Sequence, residues 1–277
     1  MGKRVLVATD LEGATCSILD AATAPFVTQP SALALCHVRW EAERFLDSEE
    51  REAPRADLDA GAMTRLEEWS AGFLPGHARE LIVEANGRPF EGIARAAERW
   101  HADLIVVGAS SNTGFLRRFL DSVADRVVRE AAPDVLVARP TTRPGVVLAA
   151  TDLTDSSAAA LAAAVSAARS RSAPLVVLHV LADSQPGDGL SGRDATGRRA
   201  AVLAWIEGAL GESGVPTTVE ILDGSPASRI LERGSALGAE LIVVASNGVE
   251  GLARLLLGSV AEEVTRKGPC CVLVVRR

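Results

Sequence analysis

The chain has 277 residues, 48% of them apolar and 23% charged, and a formal net charge of -7. That length accommodates two domains with separate cores, and the composition is that of a folded globular protein, not a disordered one. An acidic chain without clustered Lys and Arg is a poor partner for nucleic acid, whose phosphates are neutralised by such clusters.

From the N-terminus, Met1-Gly2-Lys3-Arg4 runs straight into the short apolar run Val5–Ala8. This is too short for a secretory signal, so a cytoplasmic location is expected. No apolar stretch approaches the roughly 18 residues of a membrane helix, so no membrane partner is expected. The four cysteines, Cys16, Cys36, Cys270 and Cys271, have no CxxC spacing and read as free thiols.

Sliding the chain against itself reveals a repeat. Val7-Ala8-Thr9-Asp10-Leu11 matches Ala149-Ala150-Thr151-Asp152-Leu153, and Cys36-His37-Val38 matches Leu178-His179-Val180, both at an offset of 142. Gly87-x-Pro89, Leu104–Val107 and Ser122 match Gly224-x-Pro226, Leu241–Val244 and Ser259 at an offset of 137. One five-residue length change explains both offsets. It is expected in the polar stretches Glu41–Arg55 and Asp183–Gly197, where a surface loop tolerates insertion. Two domains follow, residues 1–140 and 145–277, with Pro140-Thr-Thr-Arg-Pro144 as a proline-stiffened link.

In the second half, strands are predicted at Val146–Thr151, Leu175–Leu181, Thr217–Leu222, Leu241–Ala245 and Cys271–Val275. These runs are continuously apolar, as parallel strands covered on both faces must be. The fold class is therefore α/β: two tandem open, mainly parallel five-stranded sheets with helices on both faces, Rossmann-like. A helix is predicted over Ser156–Ser170, capped among Thr154, Asp155 and Ser156, and Pro226 suits the first turn of another.

In such sheets ligands bind beyond the carboxyl ends of the strands. Two segments should meet there in the second half. One is Ala150-Thr151-Asp152, and the other runs from Ala245-Ser-Asn247-Gly248-x-x-Gly251 to Gly258-Ser259-Val260 at a helix start. Glycines let backbone N–H groups approach phosphate oxygens, and a helix N-terminus adds donors and a favourable dipole. On spacing alone, the same glycines are equally consistent with plain turns.

Gly248, nine residues, Gly258-Ser259 and then Pro269-Cys-Cys-Val-Leu-Val-Val275 resemble the universal stress protein family, over nearly the whole of both halves. The resemblance implies an adenine-nucleotide-binding fold and a stress-response regulatory protein holding ATP, with Mg2+ as its companion ion. It places Asp152 on the nucleotide, Val180 against adenine, and Gly248, Gly258 and Ser259 on the phosphates. It also implies an intrachain pseudo-dimer, and homodimerisation as a further step. The motif's first glycine falls on Ala245, a departure that would cost about 1–2 kcal/mol if that backbone were left-handed.

In the first half the pattern is Gly108-x-x-Ser111-x(9)-Asp121-Ser122, with an acid in the third glycine's place. A carboxylate about 4 Å from a phosphate costs on the order of 4 kcal/mol at an effective dielectric near 20, several hundredfold or more in affinity. The first half is therefore expected to bind ATP poorly, with Asp10 holding a turn. Arg117 and Arg254 read as solvated ion-pair partners, with phosphate clasping as the alternative. His37 and His179 read as satisfied by local backbone, Cys36, Cys270 and Cys271 as core, Cys16 as a weakly activated thiol, and Trp69, Trp100 and Trp205 as packing anchors. No catalytic residue is assigned, because neither a Walker lysine nor a compelling general base stands in the sequence. Two other functions stay open, a slow nucleotide hydrolase or phosphotransferase and a nucleotide-free interaction module.

Overall fold

The computed structural model describes residues 3–11, 31–39, 55–73, 79–85, 87–109, 123–140, 145–181, 192–246 and 257–276. The chain divides into two compact units, Met1–Arg139 and Pro140–Arg277. Unit 1 contains β1 (Arg4–Thr9), β2 (Ala32–Arg39), α1 (Arg55–Phe73), β3 (Glu80–Ala85), α2 (Pro89–Arg99), β4 (Leu104–Gly108), α3 (Val123–Glu130) and β5 (Asp134–Ala138). Unit 2 contains β6 (Val147–Thr151), α4 (Asp155–Arg171), β7 (Leu175–Leu181), α5 (Gly192–Leu210), β8 (Thr217–Asp223), α6 (Pro226–Ala236), β9 (Leu241–Ala245), α7 (Ser259–Lys267) and β10 (Cys271–Val275).

Each unit is an α/β fold around a five-stranded parallel sheet. The order is β3-β2-β1-β4-β5 in unit 1 and β8-β7-β6-β9-β10 in unit 2. The unbroken apolar runs produce this arrangement. Leu241, Ile242, Val243 and Val244 are each no more than 3% exposed. Consecutive strand side chains point to opposite faces, so both faces are covered. Burying one such Leu or Ile side chain contributes about 1.5–3 kcal/mol, which favours the strand over any exposed conformation.

The Ala-rich helix α4 turns Ala160, Leu161, Ala164, Ala167 and Ala168 inward, a helical-period stripe. Its N-cap is Thr154, whose Oγ1 accepts from the Ser157 N–H at 3.3 Å. Its C-cap Ser172 is left-handed. Helix α6 begins with Pro226 and approaches β9 so closely at Gly234 that a Cβ there would sit 2.8 Å from Ile242 Cδ1.

Two readings of the sequence are adjusted. The stretch Asp183–Gly197 is not loop throughout, because Gly192–Gly197 form the first turns of α5, and Arg55 likewise opens α1. The length change lies in the intervals between these elements, residues 40–54 against 182–191, five fewer. Of the three tryptophans read as packing anchors, Trp100 is buried: its Nε1–H donates to Glu80 Oε2 at 2.7 Å and Arg4 stacks on its ring. Trp69 and Trp205 are half-buried. Cys36, Cys270 and Cys271 are buried and form no disulfide, while Cys16 and link residues 141–144 lie outside the described residues. No described helix is long and apolar enough to cross a membrane.

Candidate functional site

The chain leaves β6 in one direction to build β7 and β8, then returns to the other side for β9, so strand order reverses between β6 and β9. Their pairing runs Val147↔Leu241, Leu148↔Ile242, Ala149↔Val243 and stops there. Past that point Ala150-Thr151 and Val244-Ala245 diverge, and a cavity of about 440 Å³ opens at the carboxyl ends of the strands. Crevices at such reversals are where ligands bind in this architecture, and 300–1,000 Å³ is the usual size of a small-molecule pocket.

The cavity collects all eight described residues that the sequence nominated. Ala150 and Thr151 come from β6, Asp152 from the turn that follows it, Val180 from β7, Ala245 from β9, and Gly258, Ser259 and Val260 from the start of α7. Asn247, Gly248, Gly251 and Arg254 lie outside the described residues, as do Ser111, Arg117, Asp121 and Ser122 in unit 1. The backbone penalty considered at Ala245 does not arise: it is a strand residue, and the described non-glycine residues with positive φ are Leu11, His101, Leu153 and Ser172.

Asp152 is held by a local network. Its Oδ1 accepts from the Thr154 N–H at 3.2 Å, from Thr154 Oγ1–H at 2.7 Å and from Ser157 Oγ–H, while its own N–H donates to Ser157 Oγ at 3.1 Å. Among the described residues every hydrogen bond to this carboxylate goes to Oδ1, which leaves Oδ2 for a ligand. The turn that permits this places Leu153 at φ 66, a conformation costly for a branched side chain, and its N–H donates to Thr151 Oγ1 at 3.0 Å.

Val180 owes its position to strand length. β6 ends at Thr151, level with His179, so Val180 and Leu181 extend past it while still paired with β8. The Leu181 carbonyl accepts from the Gly224 N–H on the β8 side at 3.0 Å. Because backbone groups alternate along a strand, the Val180 carbonyl points the other way, beyond the end of β6 and toward the cavity. His179 Nδ1–H donates to the Thr151 carbonyl at 2.8 Å, which satisfies the imidazole locally as expected from the sequence.

At the opposite end, Gly258 caps α7 with no side-chain hydrogen bond, and its N–H donates to the Ser246 carbonyl at 2.7 Å. The first helix bond runs from Glu262 N–H to Gly258 carbonyl, so the N–H groups of Ser259, Val260 and Ala261 precede the ladder at the cavity rim. Donors of this kind, with the helix dipole and the hydroxyls of Ser246 and Ser259, suit an anion. Among the described residues no cluster of His, Cys, Asp or Glu could hold a metal ion.

Sequence reasoning missed Ser157 and Ser246. Ser157 reads as one polar residue on an Ala-rich helix, and its bond to Asp152 exists only because of the left-handed turn at Leu153. Ser246 had a fair signal, standing between two nominated positions.

Unit 1 repeats part of this construction. β1 and β4 pair only as far as Val7↔Val106, the Leu11 N–H donates to Thr9 Oγ1 at 2.9 Å with Leu11 at φ 64, and His37 Nδ1–H donates to the Thr9 carbonyl at 2.9 Å. Burial holds the His37 pKa below the ordinary imidazole value, partly offset by that carbonyl. Burial also pushes the Cys36 thiol up to about 12, so it is inert as a nucleophile.

A five-stranded parallel α/β unit whose strand order reverses beside its first strand, built twice in one chain and with a ligand-sized crevice at that reversal in unit 2, defines the class. Residues 1–139 and 145–276 each match the model of the universal stress protein family, and the chain belongs to that family as a tandem-domain member. Universal stress protein YxiE of Bacillus subtilis is 33% identical over 143 residues, covering 47% of this chain and 97% of that protein. Universal stress protein MJ0531 of Methanocaldococcus jannaschii is 47% identical over 66 residues, covering 24% of this chain and 39% of that protein. The match thus spans well under half of the latter's length. A crystal structure of a universal stress protein from Archaeoglobus fulgidus superposes over 99% of this chain and 96% of its own, with a TM-score of 0.68 at 23% identity, and shares the fold. A universal stress protein solved in complex with cAMP aligns with 48% of this chain and 97% of its own at 25% identity and a TM-score of 0.40.

Proposed function

We propose that unit 2 binds ATP and that the protein acts as an ATP-dependent regulatory module of the stress response. The cavity that gathers Asp152, Val180, Gly258 and Ser259 carries this reading. Adenine lies toward β7, where the Val180 carbonyl accepts from the exocyclic amine. Asp152 Oδ2 accepts from a nucleotide hydroxyl, and the phosphates meet the open N–H groups of α7 with the hydroxyls of Ser246 and Ser259. Mg2+ accompanies the nucleotide chiefly through phosphate oxygens and water, as this ion usually does. Unit 1, with Asp121 in the sequence position of Gly258, does not hold the triphosphate.

Calorimetric titration of the full chain with ATP, using cAMP as the comparison ligand, tests the reading. One site per chain, weakened by Asp152→Ala, is expected. Absence of binding at millimolar ATP would refute it.

A further inference from the structure

We propose that the outer edge of β8 is a strand-pairing surface held shut by Arg199 and Arg229, and that the partner it would otherwise take is β8 of a second copy of this chain.

Among the described strands β8 pairs with β7 alone, and none of its residues is fully buried. The Leu175 N–H donates to the Pro216 carbonyl and the Gly224 N–H to the Leu181 carbonyl. With the parallel register this assigns the backbone groups of Pro216, Thr218, Glu220, Leu222 and Gly224 to the β7 side. Those of Thr217, Val219, Ile221 and Asp223 face away from the sheet. A row of outward N–H and C=O groups is a template for another strand, and Thr, Val and Ile are residues that suit one.

Two of the four outward carbonyls are taken by arginines. Arg199 of α5 donates from Nη1 to the Ile221 carbonyl at 3.2 Å and from Nη2 to Asp223 Oδ2 at 3.1 Å. Arg229 of α6 donates from Nε to the Asp223 carbonyl at 2.9 Å, while its Nη1 is tied to Glu232 Oε2 at 2.9 Å. α5 leads from β7 out to β8 and α6 leads back from β8 to β9, so right-handed crossovers put the two helices on opposite faces of the sheet. The edge is therefore gripped from both sides. Gly224 makes room for the second arginine, since a Cβ there would stand 3.1 Å from Arg229 Nε. A strand added along β8 needs both carbonyls as acceptors and must displace both guanidinium groups.

A second copy fits the outward row. Turned antiparallel about Glu220, β8 sets Val219 against Ile221 and Thr217 against Asp223 in hydrogen-bonded pairs that use every outward group. The apolar pair occurs twice on one face, where such cross-strand pairs are favourable. Glu220 meets its own counterpart on the axis, and its charge is already matched by two bonds from Arg233 at 2.6 Å each. Any assembly of the wild-type chain accordingly uses other surfaces.

Sedimentation velocity of the full chain over a concentration series tests this. The double variant Arg199→Ala, Arg229→Ala should at least double the mass of the wild-type species. Its Thr217, Val219, Ile221 and Asp223 amides should exchange about tenfold or more slowly than those of the wild type. Adding Val219→Pro removes an outward donor without touching the β7 ladder, a change that edge strands tolerate, and should return the wild-type mass. Unchanged mass in the double variant overturns the proposal. So does a larger mass that Val219→Pro leaves in place, the signature of association through unfolded chain, and so does a wild-type assembly that Val219→Pro dissociates.

Discussion

The two units are built on one plan and part company in the sequence that follows their fourth strands. Both stop the pairing of their central strands after three residue pairs, both turn through a left-handed leucine behind an aspartate, and both tie a histidine to the same threonine carbonyl. At the other end unit 2 has Ser246, Gly258 and Ser259, while the corresponding sequence of unit 1 has Ala109, Asp121 and Ser122. Duplication thus keeps the strand lengths and turns of the scaffold while the sequence that follows its central strands diverges.

The largest test of that contrast moves the charge across. Gly258→Asp should weaken ATP binding several hundredfold, on the order of 4 kcal/mol, in calorimetry on a protein whose circular dichroism is unchanged. Asp121→Gly should restore little binding to unit 1, since Ser111 and Ala109 also differ. Unchanged ATP affinity in Gly258→Asp would place the site in the wrong unit.

Next come the ion pairs. In unit 2 the Glu240 side chain is 1% exposed and pairs with Arg171 at 2.9 Å, whereas in unit 1 Lys3 pairs with Asp134 at 2.7 Å with its own side chain 38% exposed. Arg171→Ala strands a buried carboxylate and should lower unit 2 stability by about 3 kcal/mol, while Lys3→Ala should cost unit 1 under about 1 kcal/mol. Hydrogen exchange resolved by peptide reads each unit separately. Equal losses would remove this contrast.

A smaller effect is expected at Ser157, whose hydroxyl bonds Asp152 from within the cavity wall. Ser157→Ala should weaken ATP binding about five- to tenfold, near 1 kcal/mol, with fold stability nearly unchanged. A change in melting temperature without a change in affinity would assign Ser157 to stability alone.

The smallest effect concerns pH. The His37 pKa is lower in the folded chain, so between that value and the unfolded value near 6.5 the unfolded chain binds more protons. Unit 1 should therefore lose stability as pH falls from 7 to 5, and His37→Gln should flatten that slope in exchange measurements. A steeper slope in the variant would reverse the sign argued here.

Much of the fold was legible in the residues. The strands Leu175–Leu181, Leu241–Ala245 and Cys271–Val275 match the predicted bounds to the residue, with Pro174, Glu240, Ser246 and Arg276 marking four of their six ends. A cap among Thr154, Asp155 and Ser156, found at Thr154, and Pro226 in the first turn of its helix follow from local chemistry that needs no tertiary context. Topology nominated Ala150–Asp152 and the stretch from Ala245 to Ser259, since strand ends meet where strand order reverses, whereas Val180 came from the family resemblance. Ser157 was not legible, because its role depends on a left-handed backbone at Leu153 that leucine does not announce. At Ala245 the strain considered from its missing glycine vanished once β9 proved to run through it.

The buried thiols give this molecule a built-in clock. Cys36 lies in β2 of unit 1, while Cys270 and Cys271 lie at β10 of unit 2, and all three are no more than 3% exposed. An alkylating reagent reaches each of them only when its strand opens. The rate at which each peptide gains mass therefore measures how often that unit breathes, and a ligand bound in the crevice of unit 2 should slow Cys270 and Cys271 ahead of Cys36.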